Sequence, residues 1–565
     1  MNDKTLLLEL AASAQEWTPD ISTPATATAV TEQPELLPDT AAADPPAKRK
    51  SGRPRKDSGN AADSDSPEVV REGRGGKRLL KILNGMAEDI SLYWDNLGES
   101  YISFADGTLY NLGRDLDLER RLSLLYYKTT GETIGKDGFN AAVMVLAAQA
   151  KETGRGIELH TRAGEHGGRF HYDLKNGRVL SMGPDGWSID RQPEIFFRHF
   201  SAQQPHPDPL PGGNPWLFFN HVNVAKEYIL LLMVWIIAAF VPRIPYPALL
   251  VSGSAGAGKS FVCRLLKRTL DPSANELQEM PKRDEDFDLL LFKHFCFAPD
   301  NISSVPVSRI DRLCAAITAA FIEKRILHTT MDTVILPCYP RVVANGINAI
   351  TNRTDFLDRS ITIHMERINP LNRSNENELN EAFNADLPAI LGGIADTLSK
   401  AMAIYPTVKL ASSPRMCDFC KWGYAVGEAL GGRGAEFLQA YGGNAAKLGE
   451  SLLENNSFMS GLVQLLDTDN VTITGTFKEI IDKLTPLVSP DKNDYSFPTS
   501  HTFRRHLERL RQNLEDVGIT FAFGKHTAKG YTVELTRRPP PESWAAAATA
   551  GVTDDLIFSE DELPT

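Results

Sequence analysis

Gly253-Ser254-Ala255-Gly256-Ala257-Gly258-Lys259-Ser260 fits the pattern G-x-x-x-x-G-K-[ST] at every fixed position. Its setting carries more weight than the match. The apolar run Pro247 to Val251 precedes it and reads as a strand, and Lys259 to Leu270 reads as a helix. A glycine loop between strand and helix lets successive backbone N–H groups converge on one anion, and the helix N-terminus adds its positive end. Lys259 then neutralises the β/γ oxygens of a triphosphate, and Ser260 holds Mg²⁺. A chain built around this element needs a parallel sheet, so the expectation is an α/β core with ATP and Mg²⁺ as its ligands.

Such a loop calls for an acid at the end of a neighbouring parallel strand. HFCFAPDN (294–301) supplies Asp300 after an apolar run. Pro299 cannot donate to a central ladder, which puts Asp300 just past the strand end, where a Mg²⁺ ligand belongs. The competing reading is an Asp that caps the next turn. A third strand, PRVVANGIN (340–348), ends in Asn345, whose amide can position the attacking water near the γ-phosphate. In TNRTDFLDRSITIHMERI (351–368), Arg359 follows a short helix and precedes a strand. An arginine there points across a subunit boundary, with Arg353 as the alternative; a surface salt bridge is the plain reading of either.

The order of these motifs, closing with D-x-L-D-R at 355–359, resembles that of AAA+-type ATPases. In particular it is similar to the phage and mobile-element primase-associated helicases related to superfamily 3. The resemblance extends over roughly 90–535 and takes in the β-rich block ending in PDGW (184–187) and the apolar helix before the loop. It implies a ring-forming, ATP-driven motor or loader on DNA, as a hexamer or a similar ring. Lys259, Ser260, Asp300, Asn345 and Arg359 carry over as its site residues. One departure matters: Asn301 stands where most AAA+ proteins have a Glu that polarises water. The general base is therefore unassigned, between a doubly used Asp300 and another acid such as Glu276 or Glu285.

The chain has 565 residues, which at roughly 100–200 per domain makes about three or four domains. Residues 1–76 are Ala-, Pro-, Thr- and Ser-rich and read as a disordered tail. Residues 77–200 read as an α+β accessory domain similar to primase-associated modules, with helices near 114–128 and 136–153 and antiparallel strands at 156–164, 168–174 and 177–183. Pro/Gly-rich 201–215 reads as a linker, 216–400 as the P-loop ATPase domain and 401–466 as a helical lid or connector. Residues 467–537 read as winged-helix-like, and 538–565 as a second disordered, acidic tail. The expected fold class is thus multidomain, α+β and α/β.

The net charge of −12 excludes a protein that coats nucleic acid by bulk charge, so DNA contact must be local. KRKSGRPRK (48–56) resembles an AT-hook. An extended Arg-Pro segment is narrow enough for the A·T minor groove, with Arg53 and Arg55 drawn by its negative potential. A generic basic tract remains the alternative. In SHTFRRHLERLRQNLEDVG (500–518), Phe503, Leu507, Leu510 and Leu514 form an apolar stripe and Arg504, Arg505, Arg509 and Arg511 a basic side. GITFAFG and GYTVEL follow, joined by a turn holding Lys525 and Lys529. Helix then wing reads either as a DNA reader, on single or double strands, or as a protein-docking element.

Several features point to plain structure. The 14-residue run Tyr228 to Val241 is shorter than the about 20 residues a membrane span needs, so it reads as a buried core helix. Six cysteines, none before Cys263, fit a reducing cytoplasm, and no signal peptide is read at the start. Cys417-x-x-Cys420 lacks a second pair at zinc spacing. His160, His166 and His171 lack carboxylates at ligand spacing. Asp554-Asp555-Leu556-Ile557-Phe558 reads as a solvated acidic tail, or as a docking segment for replication proteins.

Two functions stay in view: a Mg²⁺-dependent ATPase working on DNA as a helicase or loader of a prophage or mobile element, and an ATP-switched DNA-binding regulator with little hydrolysis. A small-molecule kinase on the same loop is a third, disfavoured by the size of the chain.

Overall fold

In the computed structural model the described residues are 67–113, 115–191, 194–302, 305–318, 321–325, 333–346, 354–367, 375–410, 415–467, 471–489, 497–527 and 530–538. Residues 1–66 and 539–565, and with them Arg53, Arg55 and the acidic tail segment, lie outside these, as do Arg353 and Lys529.

The first elements are α1 (Pro67–Gly85), β1 (Ile90–Asp95), β2 (Ser100–Phe104), β3 (Leu109–Asn111), α2 (Leu116–Thr130), α3 (Lys136–Thr153) and β4 (Arg155–Ile157). They form a sheet of order β3-β2-β1-β4, with β4 parallel to β1 and the other pairs antiparallel. Helix α2 starts where the Asp115 side chain accepts from the N–H groups of Asp117 and Leu118, and it stops at Gly131 in the left-handed region, φ 72°. Its buried residues Leu118, Leu122 and Tyr126 recur every four positions and pack with Leu79, Leu83, Ile102 and Leu146.

After β5 (Leu159–His160), an antiparallel meander follows: β6 (Ala163–His166), β7 (Arg169–Lys175), β8 (Arg178–Gly183) and β9 (Gly186–Asp190), before β10 (Phe196–Phe197) pairs with β5. The inward residues Phe170, Tyr172, Leu174, Leu180 and Met182 share one apolar core with the α/β part of the chain. This core runs across the composition break at 201–215. There His206 is 2% exposed and the Leu210 N–H bonds to the carbonyl of Pro388 at 2.9 Å.

Helix α4 (Ile229–Ala238) is the heart of that core; all but Ile229 of its residues are buried, and the Trp235 indole N–H donates to Pro247 O at 2.9 Å. Then come β11 (Ala248–Gly253), α5 (Lys259–Leu270), α6 (Asp284–Lys293), β12 (Cys296–Phe297), α7 (Val307–Ile317), β13 (Phe321–Arg325), β14 (Thr333–Pro337), β15 (Arg341–Asn345), α8 (Thr354–Leu357) and β16 (Ser360–Met365). Strands β12, β15, β11 and β16 form a wholly parallel sheet in that order. Ala248 to Val251 are buried throughout, as a strand covered on both faces requires. β13 and β14 pair as a separate antiparallel ribbon.

Helix α9 (Glu376–Ile404) packs on the same core with α10 (Cys417–Ala429) and α11 (Gly434–Asn455). Among the described residues the stretch Glu376–Thr407 alone is long and apolar enough to cross a membrane, and 67% of its apolar window is buried within the fold. Met416, Phe419, Cys420 and Trp422 of the CxxC segment belong to this core.

The last block has its own core: α12 (Ser457–Leu465), β17 (Thr472–Thr476), α13 (Phe477–Val488), α14 (Phe503–Arg509), α15 (Arg511–Asp516), β18 (Ile519–Thr527) and β19 (Gly530–Arg537). The sheet order is β17-β19-β18, all antiparallel. A capping box, Thr476 with Glu479, starts α13. The helix read within 500–518 divides at Leu510 (φ −96°, ψ 8°), so that Phe503 and Leu507 lie in α14 and Leu514 in α15. The architecture is a multidomain mix of α+β and α/β parts around a four-stranded parallel sheet.

Candidate functional site

The loop from β11 to α5 holds three glycines with positive φ: Gly253 at 141°, Gly256 at 77° and Gly258 at 83°. At Gly253 a side chain has no room as well, since a Cβ would stand 2.7 Å from the carbonyl oxygen of Met365 on β16. Ser254, Ala255 and Ala257 complete the turn, with the Ala257 N–H on Ser254 O at 3.3 Å. Lys259 opens α5, and its Nζ donates to Gly253 O at 2.8 Å and Ser254 O at 2.9 Å, which holds the ammonium against the loop.

Asp300 lies three residues past the end of β12, as Pro299 implies. Gln278 fastens it there. The Gln278 N–H donates to Ala298 O at 3.0 Å and its Oε1 accepts from the Ala298 N–H at 2.8 Å, while the Asp300 N–H donates to Gln278 O at 3.0 Å. Asp300 Oδ1 accepts from Ser260 Oγ at 2.8 Å and from Asn345 Nδ2 at 2.6 Å. The same Asn345 Nδ2 lies 3.2 Å from Ser260 Oγ. Asn345, at the end of β15 and 2% exposed, also turns the chain after Asp300. Its Oδ1 accepts from the Asn301 N–H at 2.5 Å and its carbonyl from the Ile302 N–H at 3.1 Å. Asn301 takes a left-handed conformation, φ 48°, which asparagine tolerates better than most residues.

Loop, hydroxyl, carboxylate and amide thus meet at the C-terminal ends of β11, β12 and β15, the edge of an open parallel sheet where ligands bind. The alternative acids do not join them. Glu276 is paired with Arg268 (Nη2 to Oε2, 3.2 Å), and Glu285 is exposed in the first turn of α6.

Arg359 is at the opposite end. Its carbonyl accepts from the Ala248 N–H at 2.9 Å, at the start of β11, and the β11–β16 register runs from Ala248↔Ser360 to Gly253↔Met365. Five strand steps at about 3.3 Å each separate it from the loop by roughly 16 Å. Its guanidinium donates to Asp355 O at 2.6 Å and to the Asp355 carboxylate. Burial alone would raise the pKa of Asp355; hydrogen bonds and charge from Arg359, then Arg415, outweigh it and lower it.

Residues 217–448 match the family model of the actinomycete integrative conjugative element replication protein, and residues 458–549 match that of the AICE RepA C-terminal domain. Over these two segments the chain is similar to that replication-protein family. Among the curated proteins none matches the chain. Of the solved structures, the A form apo structure of the NrS-1 C-terminal region is similar at 12% identity and a TM-score of 0.40, covering 81% of this chain and 98% of that one. Another apo structure of that region gives 14% and 0.38, covering 82% and 99%.

In the C-terminal block of the chain the basic residues divide. Arg504 is held by Glu508 at 3.0 Å and lies over the Phe523 ring at 4.6 Å, and Arg511 lies over Phe521 at 4.1 Å. Arg505 and Arg509 are exposed and one helical turn apart on α14, and neither has an ion pair among the described residues. Lys525 is exposed within β18, at a register shift between Phe523 and His526, and so lies in the strand and not in a turn.

Among the described residues no three His, Cys, Asp or Glu side chains gather to hold a metal. The six cysteines of the chain are free, and five are buried. His171 Nδ1 meets Ser181 Oγ at 2.8 Å, His166 faces Glu194 at 3.3 Å, and burial followed by the charge of Arg243 pushes His160 down to about 4.

Sequence reasoning missed Gln278 and a buried ionic cluster at the far end of α5. Arg162, fully buried, donates to Asp271 Oδ1 at 2.9 Å; Lys267 donates to Asp271 Oδ2 at 2.7 Å; and Tyr172 Oη donates to Leu270 O at 2.5 Å. These bonds join the meander to the helix that carries Lys259. The positive φ of Arg162, 65°, has no signature in the sequence.

Proposed function

We propose that this chain is a Mg²⁺-dependent ATPase that works on DNA in the replication of a mobile element, as a ring-forming helicase or helicase loader in the cytoplasm. The convergence of Ser260, Asp300 and Asn345 beside the Lys259 loop is the observation that carries the reading. The loop amides and α5 N-terminus face the phosphates, and Lys259 offsets their charge. A hydroxyl and a carboxylate oxygen 2.8 Å apart are hard donors of the kind Mg²⁺ takes, so Ser260 and Asp300 would hold it. Bound there, the ion supplies charge neutralisation to the β- and γ-oxygens. Asn345 orients Asp300 and is within reach of a water near the γ-phosphate.

Arg359 lies too far from its own loop for an arginine side chain to span, so it acts on the site of a neighbouring copy. This supports a homo-oligomeric ring, a hexamer being the form the motif order implies. DNA contact falls to Arg505 and Lys525 of a winged-helix-like domain, with Arg53, Arg55 and Lys529 as further contacts on segments outside the described residues. Arg504, paired with Glu508 and lying over the Phe523 ring, braces the surface of that domain.

A second reading rests on Asn301. With no acid at that position and Glu276 engaged elsewhere, the chain acts as an ATP-switched DNA-binding regulator with little turnover. ATPase assays with and without single-stranded DNA separate the two. DNA-stimulated turnover that vanishes in Lys259→Ala supports the motor; nucleotide binding without turnover supports the switch; neither binding nor turnover defeats both.

A further inference from the structure

Two arginines converge on one carboxylate at the end of the sheet away from the phosphate loop. Arg359 Nη1 and Arg415 Nη2 both donate to Asp355 Oδ1, the latter at 2.5 Å. The second nitrogen of Arg415 donates to Asp358 at 2.8 Å. Arg415 comes from the segment just before α10, 56 positions after Arg359, so the fold rather than a local motif brings them together. The cluster faces solvent in part, with Arg415 43% and Asp355 51% exposed. Arg359 Nε is buried with no hydrogen-bond partner among the described residues.

Carboxylate oxygens shared between two guanidinium forks occupy the place a phosphate oxygen takes in charge-assisted recognition. The orphaned Nε shows that Asp355 does not satisfy the arginine fully, and a buried donor left without an acceptor is costly. A triphosphate that meets this end of the sheet has to be held by another copy, since the chain's own loop lies about 16 Å away.

We propose that Arg415 is a second trans-acting arginine: with Arg359 it exchanges Asp355 and Asp358 for the nucleotide phosphates bound by an adjoining copy of the chain. This rests on the ring reading given above. In the free protomer the two aspartates hold the pair in place and spread its charge. On assembly the two guanidinium groups offset the charge that builds on the transferred phosphoryl group.

The test compares full-length Arg415→Ala, Arg359→Ala and Lys259→Ala in DNA-stimulated ATP turnover, with Mg-ATP binding followed by calorimetry. Arg415→Ala should bind Mg-ATP like the wild type and lose turnover by roughly tenfold or more. Mixing it with Lys259→Ala should restore part of that turnover, because a mixed interface pairs an intact loop with intact arginines. Turnover of Arg415→Ala within twofold of wild type, or a loss that Lys259→Ala subunits do not repair, overturns the proposal. If Arg415→Ala melts well below the wild type, Arg415→Lys is read in its place, against the same two outcomes. Wild-type turnover in Arg359→Ala defeats the ring reading itself, whatever Arg415 does, and absence of turnover in the wild type defeats both.

Discussion

The side-chain amide of Asn345 donates to Asp300 Oδ1 at 2.6 Å while its oxygen accepts from the backbone N–H of Asn301 at 2.5 Å. One buried amide therefore sets both the direction of the Asp300 carboxylate and the path of the chain that follows it. Removing it leaves a buried N–H without an acceptor, at a cost of about 1–3 kcal/mol. Asn345→Ala should lower stability by that amount in denaturant titrations and cut ATP turnover about tenfold or more while nucleotide binding persists. Full turnover in the variant would show that Asp300 holds its place unaided.

Asn301 invites the opposite change. Restoring an acid there, Asn301→Glu, places a longer side chain in the left-handed region and costs about 1 kcal/mol. Because the backbone at 301 is fixed by Asn345, the new carboxylate is not expected to raise turnover. A several-fold gain in rate would mean that the site lacks only its base, and that the switch reading is correct for the natural chain.

Acid should weaken the fold before it touches the carboxylates. Burial, followed by the charge of Arg243 at His160 and of Lys267 at His294, pushes both imidazoles down to about 4. Unfolded, they titrate near 6.5. Between these values the unfolded chain binds more protons, so stability is complete above about pH 6.5 and is lost as pH falls through about 4. The slope is up to about 1.4 kcal/mol per pH unit for each histidine. Chemical denaturation at pH 7, 6 and 5 measures it, and the double variant His160→Asn/His294→Asn should flatten it. An unchanged slope would assign the acid sensitivity to other groups.

The cluster of Arg162, Lys267 and Asp271 is expected to matter for folding and not for chemistry. Asp271→Ala removes the carboxylate that both buried cations pair with, a loss of about 3–5 kcal/mol. Limited proteolysis should then cut within 159–200, where the meander meets the helix whose last turn holds Lys267. A variant as resistant as the wild type would show that apolar packing alone joins the two parts.

Within α14 the neighbours Arg504 and Arg505 should behave differently. Arg504→Ala loses a contact with Glu508 and the Phe523 face, and should lower thermal stability with little effect on DNA affinity. Arg505→Ala should leave stability unchanged, weaken DNA binding and reduce the salt slope by about one. Equal effects of the two on DNA would place both at the interface.

The loop, Asp300 and Asn345 are legible in the sequence because each sits at the end of a short apolar strand, a pattern that local spacing reveals. Pro299 even marks Asp300 as lying beyond the ladder. Gln278 is not legible, since its bonds reach Ala298 twenty positions away and no local pattern distinguishes it. Arg162 and Asp271 meet across 109 positions for the same reason. The Pro-rich run 201–215 reads as a linker from composition, yet the backbone bonds of Leu210 and the burial of His206 tie it into the core. The division of the C-terminal helix at Leu510 carries no glycine or proline to announce it, and Leu510 and Leu514 are both buried in the same core.

Calorimetric titration of Mg-ATP into the full-length chain, beside Lys259→Ala, bears on the central claim most directly. Saturable, magnesium-dependent binding is expected, weakened about tenfold or more in the variant, as loss of a charge-assisted contact implies. No heat of binding at millimolar nucleotide, or equal affinity in Lys259→Ala, would contradict it.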